Sequence, residues 1–247
     1  SYRQALKIKP NYAEAYYNMA NAFKLNNQLS EALEAYDIVV KLEPANAQAY
    51  YNIANTYRDK KQLEKSLTAY NRAIEINPKY AQAYHNMGVT LSDLGRYDTA
   101  IICFKKALKI QPNYAQAYYN LGITLQANGM LNEAKEALKK ALVVRPDYVQ
   151  AYNNLGVICC ELGELDEAIN AYLTAIKHNE NFGEAHYNLG VVLYEKGQLN
   201  EAISSFVKAL QILPNFKSKN VMPFSSVLRP NFSFDIILQP EFSSNAL

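Results

Sequence analysis

Proline recurs in this chain at a fixed interval. Pro10, Pro44, Pro78, Pro112 and Pro146 are spaced 34 residues apart, and the next, Pro214, follows after twice that distance with Glu180 at the skipped position. A period of this size commits a chain to stacked copies of one supersecondary unit, because no unit that small can bury its own apolar face. Six full units follow: 13–46, 47–80, 81–114, 115–148, 149–182 and 183–216. Residues 1–12 read as the second helix of a truncated leading unit, and 217–247 do not repeat.

Counting from the first residue of each unit, position 4 is Tyr16, Tyr50, Tyr84, Tyr118, Tyr152 and His186. Position 7 is Met or Ile in the first three units and Leu in the rest; position 8 is Ala20, Ala54, Gly88, Gly122, Gly156 and Gly190. With position 11 (Phe23, Tyr57, Leu91, Leu125, Cys159, Leu193) these make an apolar stripe at helical spacing. A second stripe runs through position 20 (five Ala and Ser66), position 24 (Tyr36, Tyr70, Phe104, Leu138, Tyr172, Phe206) and position 27 (Val39, then five Ala). Each unit therefore reads as two amphipathic helices. Small residues at 8, 20 and 27 let them approach, and large ones fill the space opposite.

The punctuation fits. Position 15 is Gly95, Gly129, Gly163 and Gly197 in the last four units, where a left-handed residue ends the first helix without steric penalty. Asn27 tolerates that conformation, and Lys61 adopts it at roughly 1–2 kcal/mol. Position 18 (Ser30, Asp98, Asn132, Asp166, Asn200, with Glu64 the exception) supplies capping side chains for the second helix. The proline at position 32 stops that helix.

These residues resemble the tetratricopeptide (TPR) repeat: Tyr at 4, Leu-Gly at 7–8, Ala at 20, an aromatic at 24, Ala at 27 and Pro at 32. The resemblance covers about 204 of 247 residues, with Tyr2, Ala5 and Pro10 fitting the leading half unit. It implies an all-α, right-handed superhelical solenoid of helix-turn-helix repeats, with first helices lining a concave groove. In that family the groove residues fall at positions 2, 5, 6, 9 and 12.

Position 6 is Asn in all six units: Asn18, Asn52, Asn86, Asn120, Asn154 and Asn188. Asn is a mediocre helix former, so its repetition inside helices asks for a reason. A carboxamide carries one acceptor and two donors and can bond both polar groups of an extended peptide backbone. Such a row is similar to the asparagine ladder in the TPR arm of O-linked N-acetylglucosamine transferases. The other reading open here is that these amides bond between repeats. Position 5 (Tyr17, Tyr51, His85, Tyr119, Asn153, Tyr187) offers either interface anchors or rings packed on neighbouring repeats. Asn21 and Asn55 at position 9, with Lys24 and Arg58 at position 12, make the first two units polar and basic. Val89, Ile123, Val157 and Val191 make the later ones apolar at position 9. That gradient predicts a ligand with its acidic or polar end toward the first units. A carboxylate clamp of the chaperone-tail type is not expected, because position 5 holds no Lys and position 6 no Arg.

The remaining sequence excludes more than it offers. With 25 basic and 23 acidic residues the net charge is +2, too balanced for a nucleic-acid surface. No apolar run reaches the roughly 18 residues of a membrane span. His85, His178 and His186 have no metal-ligand spacing, and no phosphate-binding or nucleophile motif occurs. Neither cofactor, metal nor catalytic residue is expected. Three cysteines, two of them adjacent (Cys159 and Cys160), exclude a disulfide framework and point to a reducing, cytoplasmic compartment. The chain lacks an initiating Met and begins within a unit, so a longer natural chain is expected. The stretch 217–247 carries four of nine Phe and three of nine Pro, with short-strand alternation over Asn231–Gln239. It reads as the start of a truncated domain, as a Phe-bearing cap over the last repeat, or as a disordered end. The function expected is a non-enzymatic protein–protein interaction scaffold for extended segments. The alternative is the substrate-recognition arm of a glycosyltransferase. End-to-end self-association is a further possibility, since solenoid ends expose repeat surfaces.

Overall fold

The structure is a computed structural model and describes residues 11–213. The leading segment 1–10 and the stretch from 214 on, with the expected strand and cap, lie outside the described residues. Among the described residues there are helices and no strand. The first helices of the six units are α1 (Ala13–Leu25), α3 (Ala47–Asp59), α5 (Ala81–Asp93), α7 (Ala115–Ala127), α9 (Val149–Glu161) and α11 (Gly183–Glu195). The second helices are α2 (Leu29–Leu42), α4 (Leu63–Ile76), α6 (Tyr97–Ile110), α8 (Leu131–Val144), α10 (Leu165–His178) and α12 (Leu199–Ile212).

The chain divides into two compact units, Ser1–Gly129 and Met130–Leu247, with the division inside the fourth repeat. In the first unit each helix from α1 to α7 packs on its sequence neighbours, and α3, α5 and α7 also touch one another in turn. In the second unit α8 to α12 stack likewise, with α9 against α11. Contacts confined to neighbours are what define an all-α helical-repeat solenoid.

The core follows the two stripes. Tyr36, Tyr70, Phe104, Tyr172 and Phe206 at position 24 are fully buried, and the alanines at 20 and 27 are sealed around them. Ala49, Ala83, Ala117, Ala151 and Ala185 at position 3 are equally closed off and extend the small-residue surface beyond the stripes read from the sequence. The close approach is tight where position 8 is glycine. A Cβ on Gly88 would lie 2.9 Å from the Phe104 ring, and one on Gly156 would lie 2.5 Å from that of Tyr172.

The turn residues behave as their chemistry demands. Gly95, Gly129, Gly163 and Gly197 have φ between 71° and 77°, and Asn27 and Lys61 take 58° and 59° at the same position. Position 18 does not cap the second helix. Those helices begin at position 17, so the residue at 16 (Gln28, Gln62, Arg96, Met130, Glu164, Gln198) is the N-cap, and none of these makes a side-chain cap bond. Position 18 instead ties one repeat to the next. Ser30 accepts from Lys60 (2.7 Å), Asp98 from Asn128 (3.0 Å) and Asp166 from Lys196, while Glu64 takes Arg96 on both oxygens (2.6 and 3.2 Å).

Candidate functional site

The first helices bring position 6 into a row within each unit. Every asparagine of the row is half-buried except Asn188, which is 5% exposed. Four of the amides reach back across 35 residues to position 5 of the preceding repeat. Asn52 donates to the Tyr17 hydroxyl (2.7 Å), Asn86 to that of Tyr51 (2.9 Å) and Asn188 to the Asn153 carbonyl oxygen (3.0 Å). Asn120 donates to His85 Nε2 (2.9 Å), while His85 Nδ1–H donates to Asn86 Oδ1 (2.9 Å), which fixes the neutral tautomer of that ring. Burial holds the His85 pKa below its ordinary value; the Asn86 bond works against this, and the Arg58 charge adds to it.

Position 5 is shared between this row and the core. The rings of Tyr17, Tyr51, His85 and Tyr187 lie against position 24 of the same repeat, with centroids 5.5–6.1 Å apart. Tyr80 and Tyr114 cover Tyr51 and His85 from the other side, at 5.0 and 4.9 Å. Position 10 is a further contributor that the sequence reading missed. Thr56, Thr90 and Thr124 donate to the backbone carbonyls of Asn52, Asn86 and Asn120, at 2.7–2.9 Å. A Thr four residues after Asn52, Asn86 and Asn120 was the available signal.

Positions 9 and 24 are coupled. Tyr36 OH donates to Asn21 Oδ1 and Tyr70 OH to Asn55 Oδ1, both at 2.5 Å. Asn55 Oδ1 also accepts from Asn86 Nδ2 (3.0 Å), so its acceptor capacity is filled. Where position 24 is Phe or Leu, position 9 is Val or Ile. In the fifth repeat Val157 is closed off and the Tyr172 hydroxyl meets Cys160 Sγ instead, at 3.8 Å. Burial raises the hydroxyl pKa of Tyr36, Tyr70 and Tyr172. At position 12, Lys24 pairs with Asp59 of the next repeat (3.2 Å), whereas Arg58 has no ion-pair partner among the described residues.

One polar cluster lies away from this face. Cys159 Sγ and carboxylate oxygens of Glu164 and Glu167 fall within 4.8 Å of one another, a donor set that could hold a metal ion. Lys135 occupies the same space, paired with Glu164 and with Glu167 (2.7 Å), and Lys139 adds a bond to Glu167 (2.9 Å). An ammonium thus already neutralises the carboxylates. Burial pushes the Cys159 thiol up to about 12, far from the thiolate a metal needs. The cluster is an internal ion-pair network between the fourth and fifth repeats.

Two-helix repeats of this length, with paired small and large positions, are those of the tetratricopeptide repeat family, and the chain belongs to it. Profiles described as Tetratricopeptide repeat match residues 45–113, 80–147, 137–170 and 183–216, and a TPR repeat profile matches 1–27, 20–57 and 157–197. The crystal structure of MamA is 30% identical over 65% of this chain and 94% of its own, with a TM-score of 0.62. YrrB, described as a TPR protein with an unusual peptide-binding site, is 26% identical over 74% of this chain and 94% of its own, at 0.63. PilW, a type IV pilus biogenesis factor, shares the fold at 21% identity, covering 88% and 98% of the two chains with a TM-score of 0.72. No curated protein matches the sequence. Among the described residues no helix is long and apolar enough to cross a membrane.

Proposed function

We propose that this chain is a non-catalytic scaffold that holds extended protein segments against its first-helix face. The observation that carries this reading is what the asparagine row leaves unused. Asn52 and Asn120 each commit a side-chain N–H to the preceding repeat, yet their side-chain Oδ1 atoms have no partner among the described residues on a half-exposed face. An acceptor left open on this face suits an N–H group of an extended backbone and ignores its side chains, while between these two the Asn86 oxygen is already taken by His85. In the first unit Asn18 belongs to the same row, flanked by Tyr17, Tyr51 and Tyr119, with Asn21, Asn55, Lys24 and Arg58 supplying polarity at the first two repeats; in the second unit Asn154 is half-buried, whereas Asn188 and Tyr187 are buried and are not offered to a ligand. The peptide-binding site reported for YrrB, at 26% identity, supports a segment as the ligand. The three unpaired cysteines fit a reducing compartment.

The test is peptide-array capture by the wild-type chain and by Asn52→Ala/Asn120→Ala, with circular dichroism confirming that the variant is folded. The variant is expected to lose most captured sequences; equal capture would overturn the reading. The same row supports a second reading, the substrate-recognition arm of a glycosyltransferase similar to O-linked N-acetylglucosamine transferases. A nucleotide-sugar-binding domain encoded beyond Leu247 in the parent gene would decide for it.

A further inference from the structure

The amides at position 9 do not face the ligand side with both of their polar atoms. Asn21 Oδ1 is held by Tyr36 OH, and Asn55 Oδ1 by Tyr70 OH and Asn86 Nδ2. Two buried tyrosine hydroxyls therefore fix the orientation of both carboxamides. Their carbonyls turn into the protein, and their NH2 groups, without a partner among the described residues, are left on the half-exposed face. Arg58 stands one turn beyond Asn55 on α3, so the two share a face. Arg58 is half-buried, is paired with no carboxylate among the described residues, and acts electrostatically on Tyr70 of its own repeat and on His85 of the next. Lys24 has Asp59, so Arg58 carries the unmatched charge.

We infer that Arg58, as the anchor, and the Asn55 and Asn21 NH2 groups, as flanking donors, form a subsite on the first two repeats for an Asp or Glu side chain of a bound extended segment. The inference rests on the scaffold reading above and adds the chemistry of one ligand position. A carboxylate has acceptors only and matches this set, whereas a Gln side chain would turn its own donors toward some of these N–H groups. Tyr36 and Tyr70 act as positioning residues.

Two fluorescein-labelled peptides of equal length, alternating Ser-Glu and Ser-Gln, test this by anisotropy with the full chain. Wild type is expected to bind the Glu peptide about tenfold tighter or more, as charged hydrogen bonds warrant. Arg58→Gln should abolish that preference. Asn55→Asp should do so too, because it keeps the acceptor that Tyr70 and Asn86 need while replacing the NH2 by an anionic oxygen. Thermal melts followed by circular dichroism check folding; should Asn55→Asp melt early, the surface variant Arg58→Gln decides alone. Equal affinity of wild type for both peptides overturns the acidic subsite and leaves the scaffold reading to the array experiment. Absence of binding by both, or a preference that survives Arg58→Gln, also overturns it.

Discussion

The first two repeats and the fifth bury the same residue, a tyrosine at position 24, and satisfy it differently. Tyr36 and Tyr70 reach amide oxygens at position 9, at 2.5 Å, whereas Tyr172 turns to the thiol of Cys160 one turn further along the first helix, at 3.8 Å. A thiol is a weak partner, and a buried hydroxyl without a good one is destabilising. The contrast teaches that the polarity of the first-helix face is set partly from beneath. Asn at position 9 serves a core hydroxyl, and its outward NH2 groups follow from that. Repeats with Phe or Leu at position 24 are free to present Val or Ile.

The largest effect should come from giving the second repeat the third repeat's position 9. Asn55→Val strands the Tyr70 hydroxyl and an Asn86 N–H and should destabilise by about 2–3 kcal/mol in urea titration. Adding Tyr70→Phe should recover much of the loss, completing a double-mutant cycle with clear coupling. Next comes Gly156→Ala, expected to destabilise by about 2 kcal/mol because the new Cβ meets the Tyr172 ring at 2.5 Å. Alanine is native at position 8 in the first two repeats, as Ala20 and Ala54, in one core cluster with Tyr36 and Tyr70.

How much of this was legible in sequence depends on the range of the interaction. Helix pairs, small-residue positions and left-handed turns were readable because each follows from spacing within one unit. Both strained turn residues, Asn27 and Lys61, were visible as departures from glycine. Position 18 was misread because a Ser or Asp three residues after a glycine looks like a cap, while its true partner lies in the next repeat. The bond from position 6 to position 5 depends on how one hairpin rotates against another, which no single unit encodes. Lys135 in a place where other repeats have Leu or Ile was a visible anomaly, but its carboxylate partners come from the following repeat.

A smaller effect sharpens the comparison at the turns. Lys61→Gly should stabilise the second repeat by about 1 kcal/mol, whereas Gly129→Ala should destabilise by a similar amount, both read as shifts in thermal midpoint. Tyr172→Phe should change stability by less than about 1 kcal/mol, since its hydroxyl has only a thiol to lose. The smallest effect is confined to acid. The unfolded chain protonates His85 near pH 6.5, while the folded chain resists. The unfolded state then holds more protons, and stability falls as pH drops below that value, with a slope of at most roughly 1.4 kcal/mol per pH unit. His85→Tyr, which restores the ring found in the first, second, fourth and sixth repeats, should remove that slope and leave the midpoint at pH 8 little changed. An unaltered slope would mean that the fold does not shift the protonation of His85 relative to the unfolded chain.

Bonds that join residues 35 apart in a chain whose period is 34 have a genetic corollary. Duplication or loss of thirty-four codons at a time regenerates every such partnership wherever the break falls. An insertion of any other length shifts one hairpin out of step with the next and severs them. Growth of this gene by whole quanta is thus written into the asparagine that looks backward across each junction.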